Sequence, residues 1–214
     1  MDARFWHQKW ERGDIHFHES EGSPLLKEHF EKLHPEKGCR VFLPLCGKTR
    51  DIAWLLACGY RVAGAELSEL AIAELFKELG LAPEISKVGE LVRYSAKDID
   101  ILVGDIFDVS AEYLGPVSVI YDRAALVALP ACMRGQYTSH LMHITDAAPQ
   151  LLISYAYNQL LMDGPPFSVN EDEVKQHYGA TYQLTSVESK NVEGGLKGKV
   201  ASTETVWLLQ KINN

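Results

Sequence analysis

The chain is short of positive charge. Lys and Arg number 21 against 29 Asp and Glu, a net charge of −8, which is the wrong sign for a general nucleic-acid or anionic-membrane binder. No apolar run approaches the roughly 20 residues of a membrane span. The opening MDARFWHQKWERGD is polar and aromatic, without the apolar stretch of a secretory signal. The four cysteines, Cys39, Cys46, Cys58 and Cys132, form no C-x-x-C pair and sit in or beside apolar runs. That pattern argues against disulfides or a zinc site and for reduced, mostly buried thiols. Repeats and low-complexity tracts are absent too. What is present is 214 residues, 46% hydrophobic and 23% charged, enough to build one full core. We expect a single domain over 1–214 that is soluble, cytoplasmic and monomeric, with neither nucleic acid nor membrane as partner.

Short apolar runs alternate with amphipathic stretches. Strands are expected at 40–46 (RVFLPLC), 60–67 (YRVAGAEL), 100–104 (DILVG), 117–121 (VSVIY) and 150–156 (QLLISYA). Helices are expected at 49–58, 69–79, 133–144 and 171–178. Ser68 is placed to cap the second of these and Gly80 to end it. Two alternating segments, 182–188 and 203–211, read as a terminal antiparallel pair. The pattern implies an α/β fold: a Rossmann-like, doubly wound, mostly parallel seven-stranded sheet with helices on both faces and an antiparallel terminal strand. Residues 1–39 carry Phe5, Trp6, Trp10, Ile15 and Phe17, enough apolar surface for an aromatic N-terminal lid over a core at 40–214.

Ligands of such sheets sit beyond the carboxyl ends of the strands. The first turn carries Gly47-Lys48-Thr49, yet Phe42 stands where a phosphate-binding loop needs its leading glycine. A G-x-G-x-x-G turn for a dinucleotide is also missing, so a phosphate-bearing ligand is disfavoured. Glu66 ends the second strand, 21 residues after Leu45, close to the spacing at which a carboxylate meets a ribose diol. Its alternative is a solvated strand-end glutamate. A ligand with ribose but no phosphate suits this turn, and S-adenosylmethionine is one. Asp105 and Asp108 in GDIFD are placed either to accept from an adenine amino group beside Ile106 or to cap a helix. His140, His143 and Asp146 have i, i+3, i+6 spacing, read as a helix face in preference to metal ligands. No metal is expected. Trp6 and Trp10, at i and i+4, ordinarily mean core packing.

The motifs FWHQKW (5–10), IHFHE (15–19), RVFLPLCGKTRDIAWL (40–55), GAELS (64–68), GDIFD (104–108), YDRAALVALP (121–130), ISYAY (153–157) and GPPFSV (164–169) are similar to those of the thiopurine S-methyltransferase family, nearly end to end. That resemblance implies a class I methyltransferase moving a methyl from S-adenosylmethionine to the sulfur of an aromatic or heterocyclic thiol, with S-adenosylhomocysteine as product. It implies cofactor contacts from Trp10, Leu45, Glu66, Asp105, Ile106 and Arg123, and places Phe17 near the acceptor. Arg123, just after the fourth strand, would face the crevice and steady a thiolate, unless it forms a surface pair with Asp122. His16 and His18 flank Phe17 without an assigned role. Selenium or tellurium oxyanions, small thiols, or a non-catalytic adenosyl-ligand module are the alternatives.

Overall fold

The structure is a computed structural model that describes residues 3–15, 19 and 21–212. Its elements run α1 (Ala3–Glu11), α2 (Pro24–His29), β1 (Arg40–Leu43), α3 (Asp51–Ala57), β2 (Arg61–Glu66) and α4 (Glu69–Leu79). Next come β3 (Glu84–Val88), β4 (Leu91–Ala96), β5 (Ile99–Val103), α5 (Ala111–Leu114), β6 (Val119–Asp122) and α6 (Ala131–Ile144). The chain closes with β7 (Gln150–Tyr157), α7 (Glu171–Tyr178), β8 (Tyr182–Asn191) and β9 (Ser202–Lys211). No helix among the described residues is long and apolar enough to cross a membrane.

β1 and β2 bury every residue after their first, as strands covered on both faces must. They sit at the centre of one sheet with the order β3-β4-β5-β2-β1-β6-β7-β9-β8. The inner strands β5, β2, β1, β6 and β7 pair in parallel. An antiparallel hairpin flanks them at each side. On one face Leu26, Phe30, Ile52, Leu55, Ile72 and Leu75 pack against the sheet. On the other, Leu114, Tyr137, Leu141, Val174 and Tyr178 do. α4 runs as its sequence suggests: the Ser68 hydroxyl accepts from the Ala71 amide at 3.3 Å, and Gly80 ends the helix in the left-handed region at φ 67.

All seven expected strands are present, and the sheet is wider by the hairpin β3–β4. Its two-residue turn, Gly89-Glu90, is a recognisable hairpin connection. The apolar signal around it is weak because β3 is almost wholly exposed, Ile85 at 58% included. The thiols divide: Cys39 and Cys46 are buried, whereas Cys58 and Cys132 are exposed, because the last two lie at helix ends facing solvent rather than on core faces. Part of the segment expected as a lid lies in the core. Leu25, Leu26, Phe30 and Leu33 are buried in the main core, so residues 24–33 are part of the folded body. His29, itself 2% exposed, fastens α2 to β8 through Glu188 Oε2 at 2.5 Å and accepts from Lys32 Nζ at 2.9 Å.

Candidate active site

The strand order reverses between β1 and β6, and the carboxyl ends there open into a cavity of about 750 Å³. Trp10, Leu45, Glu66, Asp105, Ile106 and Arg123 all line it. Residues read from separate motifs are thereby brought to one place. Phe17, with His16 and His18, lies outside the described residues.

At the β1–β2 end the geometry is set by the main chain. Gly64 lets the turn after β1 approach β2, since a Cβ there would fall 2.5 Å from Ile101 Cδ1 and 2.9 Å from Cys46 Sγ. Leu45, without glycine's freedom, takes φ 48. Gly47 follows at φ 51, and a Cβ on it would meet the Trp10 indole at 2.9 Å. The Trp10 ring, 6% exposed, therefore lies against the turn. Glu66 is 6% exposed, which removes the solvated strand-end alternative. Its Oε2 accepts from the Gly47 amide at 2.8 Å and its Oε1 from the Ser68 amide at 2.9 Å. Burial pushes its carboxyl above the usual carboxylate range, while amides of Ser68, Gly47 and Leu67 pull it back. Each oxygen keeps further acceptor capacity.

Asp105 is exposed at the cavity edge, where its Oδ1 accepts from the Phe107 amide at 3.0 Å. It caps the next turn and faces the cavity at once. Ile106 is buried beside it, and His140 Nε2 donates to the Ile106 carbonyl at 2.9 Å. His140 thus supports this wall, while Asp146 pairs with Lys211 at 2.9 Å. Asp108 is exposed and stands outside the cavity. Lys48 turns to Glu74 and Glu78 at 2.8 and 2.9 Å, in keeping with a turn that cradles no phosphate.

At the β6–β7 end side chains do the positioning. Asp122 is fully buried and makes no surface pair with Arg123. Its Oδ1 accepts from the Leu126 amide at 3.0 Å and its Oδ2 from the Tyr137 hydroxyl at 2.7 Å. That anchorage holds a turn in which Ala124 takes φ 61, and the turn directs Arg123 to the cavity. The Arg123 side chain, 14% exposed, pairs with Glu19. Burial works against its charge, but Tyr121, Glu19, Asp51 and Tyr155 outweigh it and hold the guanidinium above its ordinary range.

Tyr155, Pro166, Leu196 and Lys197 also line the cavity; the sequence pointed to the strand end at Tyr155 and the motif around Pro166 but gave none of the four a role of its own. The available signal was Tyr155 at the tip of the fifth apolar run, a strand end like those of Glu66 and Arg123. Lys197 arrives from the connection between β8 and β9 and donates to the Pro165 carbonyl at 2.7 Å. Burial and the nearby Lys9 lower its pKa. The cavity thus joins a buried, backbone-held carboxylate, an apolar wall and a cationic end.

A family profile described as thiopurine S-methyltransferase matches residues 1–211. The curated thiopurine S-methyltransferase of Xanthobacter autotrophicus is 51% identical over 212 residues, covering 99% of this chain and 100% of that protein. That of Teredinibacter turnerae is 49% identical over 211 residues, covering 99% and 98%. Among solved structures, Burkholderia thailandensis 1,6-didemethyltoxoflavin-N1-methyltransferase, with its ligand and S-adenosylhomocysteine, superposes with a TM-score of 0.65 at 15% identity, covering 98% and 87%. A methyltransferase dependent on S-adenosylmethionine from Anabaena variabilis gives a TM-score of 0.67 at 14% identity, covering 97% and 95%. At such identities these structures share the fold.

Proposed function

Because the chain belongs to the thiopurine S-methyltransferase family, and is therefore a methyltransferase using S-adenosylmethionine, we propose that its acceptors are heteroaromatic thiols, thiopurines among them. The observation that carries this reading is Arg123, a guanidinium shielded from water at one end of the same cavity that holds the buried Glu66 carboxylate at the other. A hydrogen-bonding cation there suits an acceptor that is anionic or becomes so.

The residues present fit S-adenosylmethionine. Glu66, held by Gly47 and Ser68, keeps acceptor capacity for a ribose diol. Ile106 and Leu45 supply apolar contact, Asp105 stands where an amino group would be met, and the Trp10 indole covers the turn. When bound, the cofactor supplies a methyl on a sulfonium, already a good leaving group, so the protein's task is alignment and dryness. Holding reactants in register is worth effective molarities on the order of 10⁵–10⁸ M. Arg123 would steady the sulfur anion, with Phe17 placed near the acceptor by family resemblance.

Product detection after incubation with S-adenosylmethionine and a panel of thiols, selenite and tellurite tests the proposal. S-methylated heteroaromatic product is expected. Turnover of the oxyanions or aliphatic thiols alone would replace this acceptor class, and binding without turnover would leave only an adenosyl-ligand module.

A further inference from the structure

Tyr155 and Glu204 are directly opposed in the antiparallel pair β7–β9, so their side chains leave the same face of the sheet. Tyr155 lines the cavity, and its hydroxyl donates to Glu204 Oε1 at 2.7 Å. Glu204 stands behind it, outside the cavity wall. The charged groups facing the phenol are Glu204, Arg123 from the turn after β6, and Glu19. Lys190, on the neighbouring β8, faces Glu204 and is itself beside Glu188 and Glu28. Burial and then Glu204 hold the phenol far above its ordinary range. Tyr155 therefore does not ionise alone. With its own proton committed to Glu204, its oxygen has only acceptor capacity left for a group in the cavity.

We propose that Tyr155 and Glu204 form a proton relay that accepts the acidic proton of a neutral thiol acceptor. The relay rests on the thiol reading of the preceding section and adds to it the fate of the proton. In the step, the acceptor's S–H bond, or the ring N–H of its thione tautomer, breaks and leaves its electron pair on the acceptor as a thiolate. That proton goes to Tyr155 Oη as the phenolic proton passes to Glu204 Oε1. The products are a thiolate facing Arg123 and a protonated Glu204, which returns its proton to water after turnover. Arg123 stabilises the anion and the relay creates it, so removing each has a different dependence on pH.

The test compares the full-length protein with Tyr155→Phe and Glu204→Gln, measuring kcat/KM from about pH 6 to 9 across the usual titration of such thiols. Two acceptors are used: 4-nitrobenzenethiol, a thiolate throughout, and 6-mercaptopurine, protonated at the low end. On 6-mercaptopurine both variants should lose on the order of 10²-fold at low pH, the lower range for a positioned proton acceptor. The gap should close as pH rises. On 4-nitrobenzenethiol the loss should stay below about threefold, since no proton needs moving. A loss equal on both thiols, or constant with pH, overturns the relay. Wild type active with unaffected variants overturns the relay alone; wild type active on neither thiol overturns the acceptor reading with it. Calorimetry with S-adenosylhomocysteine verifies the folded site, and should Tyr155→Phe fail to bind, the Glu204→Gln profile decides by the same criteria.

Discussion

At the β2 end of the cavity, Glu66 is held by the amides of Gly47 and Ser68, both within the first βαβ unit. At the β6 end, Arg123 is matched by Glu19, and Tyr155 by Glu204, across long stretches of sequence. Backbone donors cannot change rotamer, so the first end is pre-organised by the fold itself. Side-chain partners can be exchanged one at a time without disturbing a strand. Such a division would let side-chain changes at the β6 end alter the cavity there without moving the β2 end.

The sharpest way to break the comparison is Arg123→Ala. Loss of its charge and fork should lower kcat/KM for a heteroaromatic thiol by on the order of 10²-fold, about 2.7 kcal/mol, with S-adenosylmethionine affinity changed far less. Arg123→Lys should keep only part of the activity, because an ammonium lacks the planar fork. Raising the pH should restore little, since the missing group is not a proton acceptor. Wild-type rates in a folded Arg123→Ala would remove Arg123 from the acceptor end.

The next effect concerns the carboxylate that holds the Arg123 turn. Burial raises Asp122 to about 6, against hydrogen bonds from Leu126, Tyr137 and Ala125. In the unfolded chain the same group loses its proton near pH 3.9. Between about pH 4 and 6 this group therefore binds more protons in the folded state, and its contribution to stability falls as pH rises, then levels off. At 1.36 kcal/mol per unit the drop is between about 2 and 3 kcal/mol. Asp122→Asn keeps an oxygen for the Leu126 amide and should lose that slope, measured by urea unfolding across the window. Identical profiles for wild type and variant would mean that Asp122 carries no raised pKa.

At the cofactor end, Glu66→Ala should weaken S-adenosylmethionine binding by about 2 kcal/mol, as for a hydrogen bond to a charged group, and strip two buried amides of their acceptor. Glu66→Gln should lose less, retaining one oxygen. Unchanged calorimetric affinity in folded Glu66→Ala would sink the assignment. Ser68→Ala, which removes only the cap of α4, should cost about 1 kcal/mol of stability in thermal or urea melts and leave acceptor preference alone. A shift in preference there would show that the two ends are coupled.

Much of the β2 end was legible residue by residue. The 21-residue interval from Leu45 to Glu66, the Ser68 cap and the Gly80 stop are local signals, and local hydrogen bonds realise them. Arg123 was legible by its place after a strand, but its partner was not: Asp122 is adjacent in sequence yet lies buried on the Tyr137 side. Tyr155 was legible as a strand end, but its pairing with Glu204 was not, because cross-strand opposition depends on register, which an alternating pattern leaves open. The β3–β4 hairpin was missed for want of burial, and residues 24–33 were grouped with the lid because their apolar residues carry no record of what they pack against.

By itself, then, the sequence determined the alternation of strands and helices, the parallel block they imply and the place of Glu66 at the end of the second strand. Each follows from contacts a few residues long, or from periodicity that burial imposes on every such element. Only the tertiary structure decided which cation meets which carboxylate at the β6 end, that Tyr155 backs onto Glu204, and how far the N-terminal segment belongs to the core. Those are contacts between residues 49 to 159 positions apart, and they exist only once the sheet order has brought distant segments together.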